Sequence, residues 1–395
     1  MKNVELLSPA GSIISVKSAL RFGADAVYVG GTMLQLRAKS AAFSLDQISI
    51  AATLAHSCGK RLYVTVNALA RNDELDDLRV YANELKECGA DAVIVSDLGV
   101  LDTIHKACPS LDLHVSTQAS CQNYASALVY YRLGAKRIVL AREMTLEEIR
   151  SLRSRIPDDL ELEAFVHGAM CMAISGRCII SSALVGRSGN RGECAQPCRW
   201  NYHLMEETRP NQFFPIEEDG KTTAILSSRD LNCIDMLDAL ADAGVSSFKI
   251  EGRMKTEYYV SVVTNAYRHA IDQDLPPMVL RHELETISHR PYTTGFYLGE
   301  LPSDHANRGA YIQDYSFCGI VLNYENGTAV IEQRNRFSIG DVLEYVSPSS
   351  IGSVPVDSIT DLDNNPIRIA NQVRQIVKIP TEAKLHPGDM LRKKN

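Results

Sequence analysis

The sequence predicts a (β/α)8, TIM-like barrel followed by a small antiparallel β-barrel domain, and three observations carry that expectation. Eight β-rich runs recur, most of them roughly 20 to 36 residues apart, which leaves room for one helix and two loops between strands. A helix, a glycine and a short buried strand repeat as a unit. Beyond about residue 305 the pattern changes to short strands and turn dipeptides.

The candidate barrel strands, in order, are Val4 to Leu7, Ala26 to Val29, Leu62 to Asn67, Ala92 to Ser96, Leu113 to Ser116, Arg137 to Leu140, Leu162 to Val166 and Ser247 to Glu251. The repeated unit reads FGADAVYV from Phe22, CGADAVIV from Cys88, LGAKRIVL from Leu133 and AGVSSFKI from Ala243. Each glycine falls where a helix needs a left-handed residue before the chain enters a parallel strand. Helix stripes are legible in Leu75, Leu78, Ala82 and Leu85. Ser44 with Gln47, and Thr145 with Glu148, fit the reciprocal capping pattern at helix starts. An open doubly wound sheet is the competing topology. The seventh-to-eighth interval is about 80 residues and holds a cysteine-rich insertion at about 167 to 225. Long insertions in such barrels sit at the catalytic face.

Residues 306 to 395 form the expected second domain, with runs at Gly319 to Leu322, Ala329 to Glu332, Asp341 to Val346 and Val373 to Ile379. Asn326-Gly327 between two of them is a hairpin signal. The link passes through Leu301 to Arg308.

Composition restricts the setting. The 395 residues are 45% hydrophobic and 23% charged, ordinary values for a soluble globular chain. The first residues, MKNVELLSPAGS, lack the apolar segment of a signal peptide, and no window resembles a membrane span, so a cytoplasmic protein with no membrane partner is expected. In a reducing compartment ten cysteines do not suggest a disulfide framework. Cys58, Cys88, Cys108, Cys233 and Cys318 read as small apolar fillers. The net charge of -7 argues against nonspecific coating of nucleic acid, though a local basic mouth is compatible with it.

Cys171, Cys178, Cys194 and Cys198 stand apart, with six, fifteen and three residues between successive thiols. Four thiolates can hold structural zinc or an iron-sulfur cluster. Only the last pair has the short spacing of a zinc knuckle, so spacing favours a 4Fe-4S cluster over zinc. Gly168, Gly176, Gly186, Gly189 and Gly192 let the backbone fold closely round a prosthetic group.

The stretch from Glu163 to Trp200, with FVHGAMC, SGRC and CRW, resembles the signature of the collagenase-like peptidase family U32. So do the opening ELLSPAGS, LHVSTQ from Leu113, KIEGRMK from Lys249 and QRNRFSIGDVLEY from Gln333. The resemblance spans almost the whole chain and is greatest to the members that hydroxylate tRNA. It implies a 4Fe-4S protein, ligated by the four cysteines above, that hydroxylates C5 of the wobble uridine of tRNA without molecular oxygen. It also implies prephenate as the hydroxyl donor, and a homo- or hetero-oligomer. Relatives acting on ribosomal RNA, and the family's peptidase label, give the alternatives. The chain itself has no His-Glu-x-x-His motif, and Gly186-Arg-Ser-Gly189 is not a nucleophile elbow.

Further candidates follow from the strands' C-terminal ends. Arg37, Asn67, Glu251, Arg253 and Lys255 are expected to bind substrate, and Gln118, Arg142, Glu143 and His167 to serve the chemistry. Guanidinium and ammonium groups would meet carboxylates and phosphates. Asn67 and Gln118 could pair with a uracil edge or cap neighbouring loops. Arg229-Asp230 reads as an internal ion pair and Lys39 as a solvated side chain.

Overall fold

The computed structural model describes residues 4–36, 42–170, 180–187, 192–197, 200, 204–205, 213–214, 217–218, 221–222, 229–299 and 311–395. Eight parallel strands form a closed ring: β1 (Glu5–Pro9), β2 (Ala26–Gly30), β3 (Arg61–Val66), β4 (Ala92–Val95), β5 (Asp112–Val115), β6 (Ala135–Val139), β7 (Glu161–Ala169) and β8 (Ser247–Ile250). Each pairs with its successor, and β8 closes the ring against both β7 and β1. These are the eight runs read from the sequence, with β7 reaching further than expected, to Ala169.

The helices α1 (Ile13–Arg21), α2 (Leu45–Ser57), α3 (Leu75–Glu87), α4 (Leu98–Ala107), α5 (Tyr124–Arg132), α6 (Leu146–Arg153), α7 (Leu237–Asp242) and α8 (Glu257–Asp272) follow the strands in turn. The sequence signals act as chemistry requires. Gly23, Gly89, Gly134 and Gly244 take φ of +98°, +89°, +94° and +95°. A side chain at Gly23 or Gly244 would also collide with Arg268 or Arg153. Both expected capping boxes are formed, at Ser44–Gln47 and Thr145–Glu148. On α3, Leu78, Ala82 and Leu85 are buried, joined by Tyr81, as the apolar stripe demands.

A short strand, Asp230–Asn232, runs antiparallel to the end of β7, with Asn232 opposite His167, and a second, Tyr292–Thr293, runs parallel to it. Helix α9 (Pro277–Glu285) packs on α8.

The C-terminal part is an antiparallel sheet built mainly from β9 (Tyr315–Glu325), β10 (Thr328–Gln333), β11 (Val342–Ser347), β12 (Ser350–Pro355), β13 (Ile376–Pro380) and β14 (Met390–Lys394). The β9–β10 hairpin turns at Asn326 and Gly327, both with positive φ (51° and 76°), which is why that dipeptide is favoured there. The sheet has its own apolar core around Phe337, Leu343, Val377 and Leu391. Ile320, Val346 and Met390 instead join the buried cluster of the barrel. Arg392, 1% exposed, makes a two-pronged pair with Glu283 (2.8 and 2.8 Å) and a third bond to Glu344 (2.8 Å). Arg334 pairs with Glu257 at 2.6 Å, and Tyr258 stacks on Phe317 with centroids 5.2 Å apart.

Two expectations change. Cys58 is exposed and Cys88 only half-buried; both cap the C-terminal ends of helices, α2 and α3. Cys108, Cys233 and Cys318 are buried as expected, as is Cys121. Asp230 is ion-paired, but to Arg290, 60 residues away, at 2.6 Å. Lys39 and the segment Leu301 to Arg308 lie outside the described residues. Among the described residues no helix is long and apolar enough to cross a membrane.

Candidate active site

Alternate residues of β7 and β8 point into the barrel, and here they are polar. Glu161, Glu163, Phe165 and His167 succeed one another along β7, as Ser247, Lys249 and Glu251 do along and just after β8. A chain of ion pairs results. Lys249 Nζ donates to Glu163 Oε1 (2.7 Å), Arg137 donates to Glu163 Oε2 (3.0 Å) and to Glu5 Oε1 (2.5 Å), and the Tyr63 hydroxyl donates to Glu5 Oε2 (2.6 Å). Glu163 is wholly buried, and Lys249 and Arg137 nearly so. Burial would raise the Glu5 carboxyl's pKa, but the Arg137 charge and the bonds from Arg137, Tyr63 and Ser247 outweigh it and hold it below its ordinary value. His114, among the same groups, is kept neutral by burial and by the nearby Arg137 and Lys249 charges. Barrel interiors are usually filled by branched aliphatic side chains. A buried ionic chain often does no better than such a core, and Glu5, Glu161 and Ser247, the first residues of their strands, set this one toward the end of the barrel away from the mouth.

Toward the mouth, Lys249 Nζ lies 4.6 Å from the Tyr28 ring centroid and 5.5 Å from that of Phe165. The Arg142 guanidinium covers Phe165 at 4.0 Å, donates to the Ala169 carbonyl (2.6 Å) and approaches Glu251 to 3.9 Å. Two cations therefore face one aromatic ring, Lys249 paired to Glu163 and Arg142 close to Glu251.

His167 occupies the end of β7, 1% exposed, among the rings of Tyr259, Tyr267 and Tyr292 at 5.9, 5.5 and 5.6 Å. Its Nδ1 is 3.3 Å from the Tyr267 hydroxyl. That hydroxyl gives its proton to the Val166 carbonyl at 2.7 Å, so Nδ1–H is the donor and Nε2 keeps its lone pair. Burial lowers the imidazole's pKa to about 3, with His289 and Lys255 adding to the effect and Asp230 opposing it. It is a neutral ring at any physiological pH.

The other expected residues fall at the same rim, in different employments. Asn67 accepts from the Leu36 backbone and donates to Ser116 Oγ (both 3.3 Å), tying two loops together. Arg253, 5% exposed, bonds Thr65 and the Leu36 carbonyl and so stitches the turn after β8 to β3 and to the loop after β2. Gln118 lies half-buried in the short helical turn after β5, and Glu143 half-buried after β6. Lys255 donates to the Ser288 carbonyl (3.4 Å). Arg37 lies outside the described residues.

Cys171, Cys178 and Cys198 also lie outside the described residues. Cys194 is exposed, in no disulfide, and its sulfur accepts a hydrogen bond from the Gln196 backbone N–H at 3.4 Å. A thiol so placed suits a cluster ligand, whose charged sulfur is stabilised by backbone donors. β7 ends at Ala169, two residues before Cys171 in the sequence.

Sequence reasoning missed Lys249, Glu163 and Arg137, and also Tyr28, Tyr267 and Asp230–Arg290. The first three carried a signal, since charges at alternating positions in strands of an otherwise apolar barrel mark inward-facing polar groups.

The model of peptidase family U32 matches residues 11–307, and that of the U32 C-terminal domain matches residues 313–392. Among curated relatives, the tRNA hydroxylation protein P1 of Bacillus subtilis (strain 168) is 35% identical, over 99% of this chain and 95% of its own length. The 23S rRNA 5-hydroxycytidine C2501 synthase of Escherichia coli (strain K12) is 39% identical, over 68% of this chain and 39% of its own length. A collagenase of Porphyromonas gingivalis (strain ATCC BAA-308 / W83) is 29% identical, over 99% of this chain and 98% of its own.

Proposed function

The chain belongs to peptidase family U32, and on that premise we propose that it is an RNA hydroxylase acting on tRNA, converting the wobble uridine to 5-hydroxyuridine without molecular oxygen. The observation that carries this reading is the polar barrel mouth, where Arg142 and Lys249 face the Phe165 ring and are themselves set beside Glu251 and Glu163. It is joined to relatives named for the hydroxylation of tRNA and of rRNA.

A concave mouth suits a base swung out of an anticodon loop, which is already single-stranded. Replacing C5–H by C5–OH is a two-electron oxidation of the base, so a co-substrate must supply the hydroxyl oxygen and accept the electrons. Prephenate, a dicarboxylate, is the proposed donor, and Arg142 and Lys249 are the cations suited to its carboxylates. Cys171, Cys178, Cys194 and Cys198 would hold a 4Fe-4S cluster, which supplies one-electron redox capacity or a Lewis-acidic iron. His167, neutral and donating from Nδ1, offers Nε2 as an acceptor that orients a ligand and does not carry charge.

Proteolysis finds no support in the described residues. The His167 ring is bonded to a tyrosine, not to a serine or a thiol. Burial raises the pKa of Cys121 to about 11, that of Cys318 to about 12, and that of Cys233 further still, the reverse of nucleophile activation.

The test is mass spectrometry of tRNA and rRNA nucleosides from cells with and without the gene. Loss of 5-hydroxyuridine derivatives from tRNA is expected. Their full retention, in a strain with no second copy, defeats the proposal, and loss confined to a hydroxylated rRNA base moves the substrate to rRNA. Replacing any of the four cysteines by serine should abolish both the modification and the broad visible absorbance of anaerobically purified protein.

A further inference from the structure

The turn from β8 into α8 lies on the mouth side of the barrel, and the C-terminal sheet is fastened beside it. Arg334, the first residue past β10, pairs with Glu257 at the start of α8 (2.6 Å), and Phe317 stacks on Tyr258. Past this anchor the sheet presents two short facing loops, 334–336 and 371–374. Backbone contacts close them at both ends. The Gln333 N–H donates to the Gln375 carbonyl (2.8 Å), Phe337 pairs with Ala370, and just beyond it the Ile339 N–H donates to the Arg368 carbonyl (3.0 Å). The Gln375 side chain also accepts from the Asn371 and Gln372 backbone, both at 3.2 Å. Arg336 follows Arg334 by two residues, so its Cα lies within about 7 Å of the anchor's. Arg374 takes φ of +54°, a left-handed backbone that glycine or asparagine would adopt at less cost.

Arg336, Arg368 and Arg374 are exposed, and among the described residues none of the three side chains has a hydrogen bond or an ion pair. Two carboxylates that could answer them are already engaged. Glu332 pairs with Arg334 (2.8 Å). Asp341 lies within the field of Arg336, but it is bonded by Lys393 (3.0 Å) and by the Ser338 N–H (2.8 Å). On the flank of the barrel, by contrast, Lys106 is held by Asp102 at 2.6 Å and Arg281 by Asp235 at 2.8 Å. One free surface arginine is ordinary. Three on adjoining, backbone-pinned segments, in a chain of net charge -7, make a local positive surface beside the mouth. Guanidinium groups without carboxylates suit phosphates, and an RNA strand brings one phosphate charge per nucleotide whatever its sequence. Resting on the RNA reading above, we infer that Arg336, Arg368 and Arg374 grip the sugar-phosphate backbone of the substrate tRNA outside the loop whose base enters the mouth. The contact adds affinity and orientation and reads no base.

The test compares Arg336→Gln, Arg368→Gln and Arg374→Gln, singly and together in the full chain, with Arg79→Gln, which removes the same charge from the exposed side of α3. Binding of a fluorescently labelled full-length tRNA, and of an oligonucleotide of the anticodon loop alone, is followed by anisotropy over a range of salt concentrations. Each single change at the patch should weaken tRNA binding by about 2- to 10-fold. The slope of log Kd against log salt concentration should fall by about one for each arginine removed. Binding of the loop oligonucleotide should not change, nor should either RNA respond to Arg79→Gln. The three side chains are exposed and unbonded, so the variants should keep the wild-type thermal midpoint. If the triple variant binds tRNA with wild-type affinity and salt slope, or if Arg79→Gln costs as much as a patch change, the backbone contact is refuted and the hydroxylase reading survives on nucleoside analysis. An acidic protein bound by the wild type and lost from the triple variant, with tRNA affinity unchanged, refutes it equally and gives the patch to that partner. If the wild-type protein binds no tRNA, both readings fall.

Discussion

Lys249 and Glu163 show how much of the site is decided by single charges. Each is buried and each satisfies the other at 2.7 Å. Glu163→Gln leaves Lys249 and Arg137 facing one carboxylate fewer, and should lower stability by about 3–5 kcal/mol in urea unfolding. The double change with Lys249→Met should cost clearly less than the sum of the single changes, because it removes both halves of the pair. Additive losses would mean that the two groups do not interact. His167 makes a pH prediction. Its folded-state pKa, about 3, lies below the ordinary 6.5, so only the unfolded chain takes up a proton as pH falls between those values. Stability is therefore full above about 6.5 and declines below it, by up to about 1.4 kcal/mol per pH unit. His167→Gln should flatten that slope by one proton's worth, with His114, also depressed, supplying the remainder.

At the scale of the element, local signals decide where helices and strands begin and end. Thr145 caps α6 through its side chain and receives Glu148 in return, so Thr145→Ala should cost about 1 kcal/mol in thermal or urea unfolding and leave the site unaltered. Such signals explain why the eight strands were legible: left-handed glycines, capping boxes and strand-length apolar runs are encoded within a few residues of where they act. The site was less so. Glu251, Arg142 and His167 were found by asking which residues end strands, but which of them meet depends on register across the ring. Arg253 ends a strand as well, yet bonds Thr65, 188 residues away. Asp230 finds Arg290 and not its neighbour Arg229, and nothing within a short window announces either pairing.

Across the whole molecule, the barrel and the C-terminal sheet are joined by buried charge and shared apolar contacts. Arg392 is the centre of that junction, held by Glu283, Thr286 and Glu344. Arg392→Met keeps the stem but leaves two carboxylates without their cation, which should lower stability by about 3–5 kcal/mol. It should also speed tryptic cleavage ahead of the sheet, read by the appearance of a barrel-sized fragment. Unchanged proteolysis would assign the junction to the apolar contacts of Ile320, Val346 and Met390 alone.

The closure of the ring has a consequence in time. β8 must bond β1, and Ser247 reaches Glu5 across 242 residues. A ribosome delivers Cys171 through Cys198 well before it delivers Ser247, so the nascent chain presents those four clustered cysteines to the cell while the barrel is still an open sheet. Under the proposed cluster reading, assembly of the cluster competes with thiol oxidation during translation itself. A slower passage through the codons between Cys198 and β8 would lengthen the interval in which both can happen.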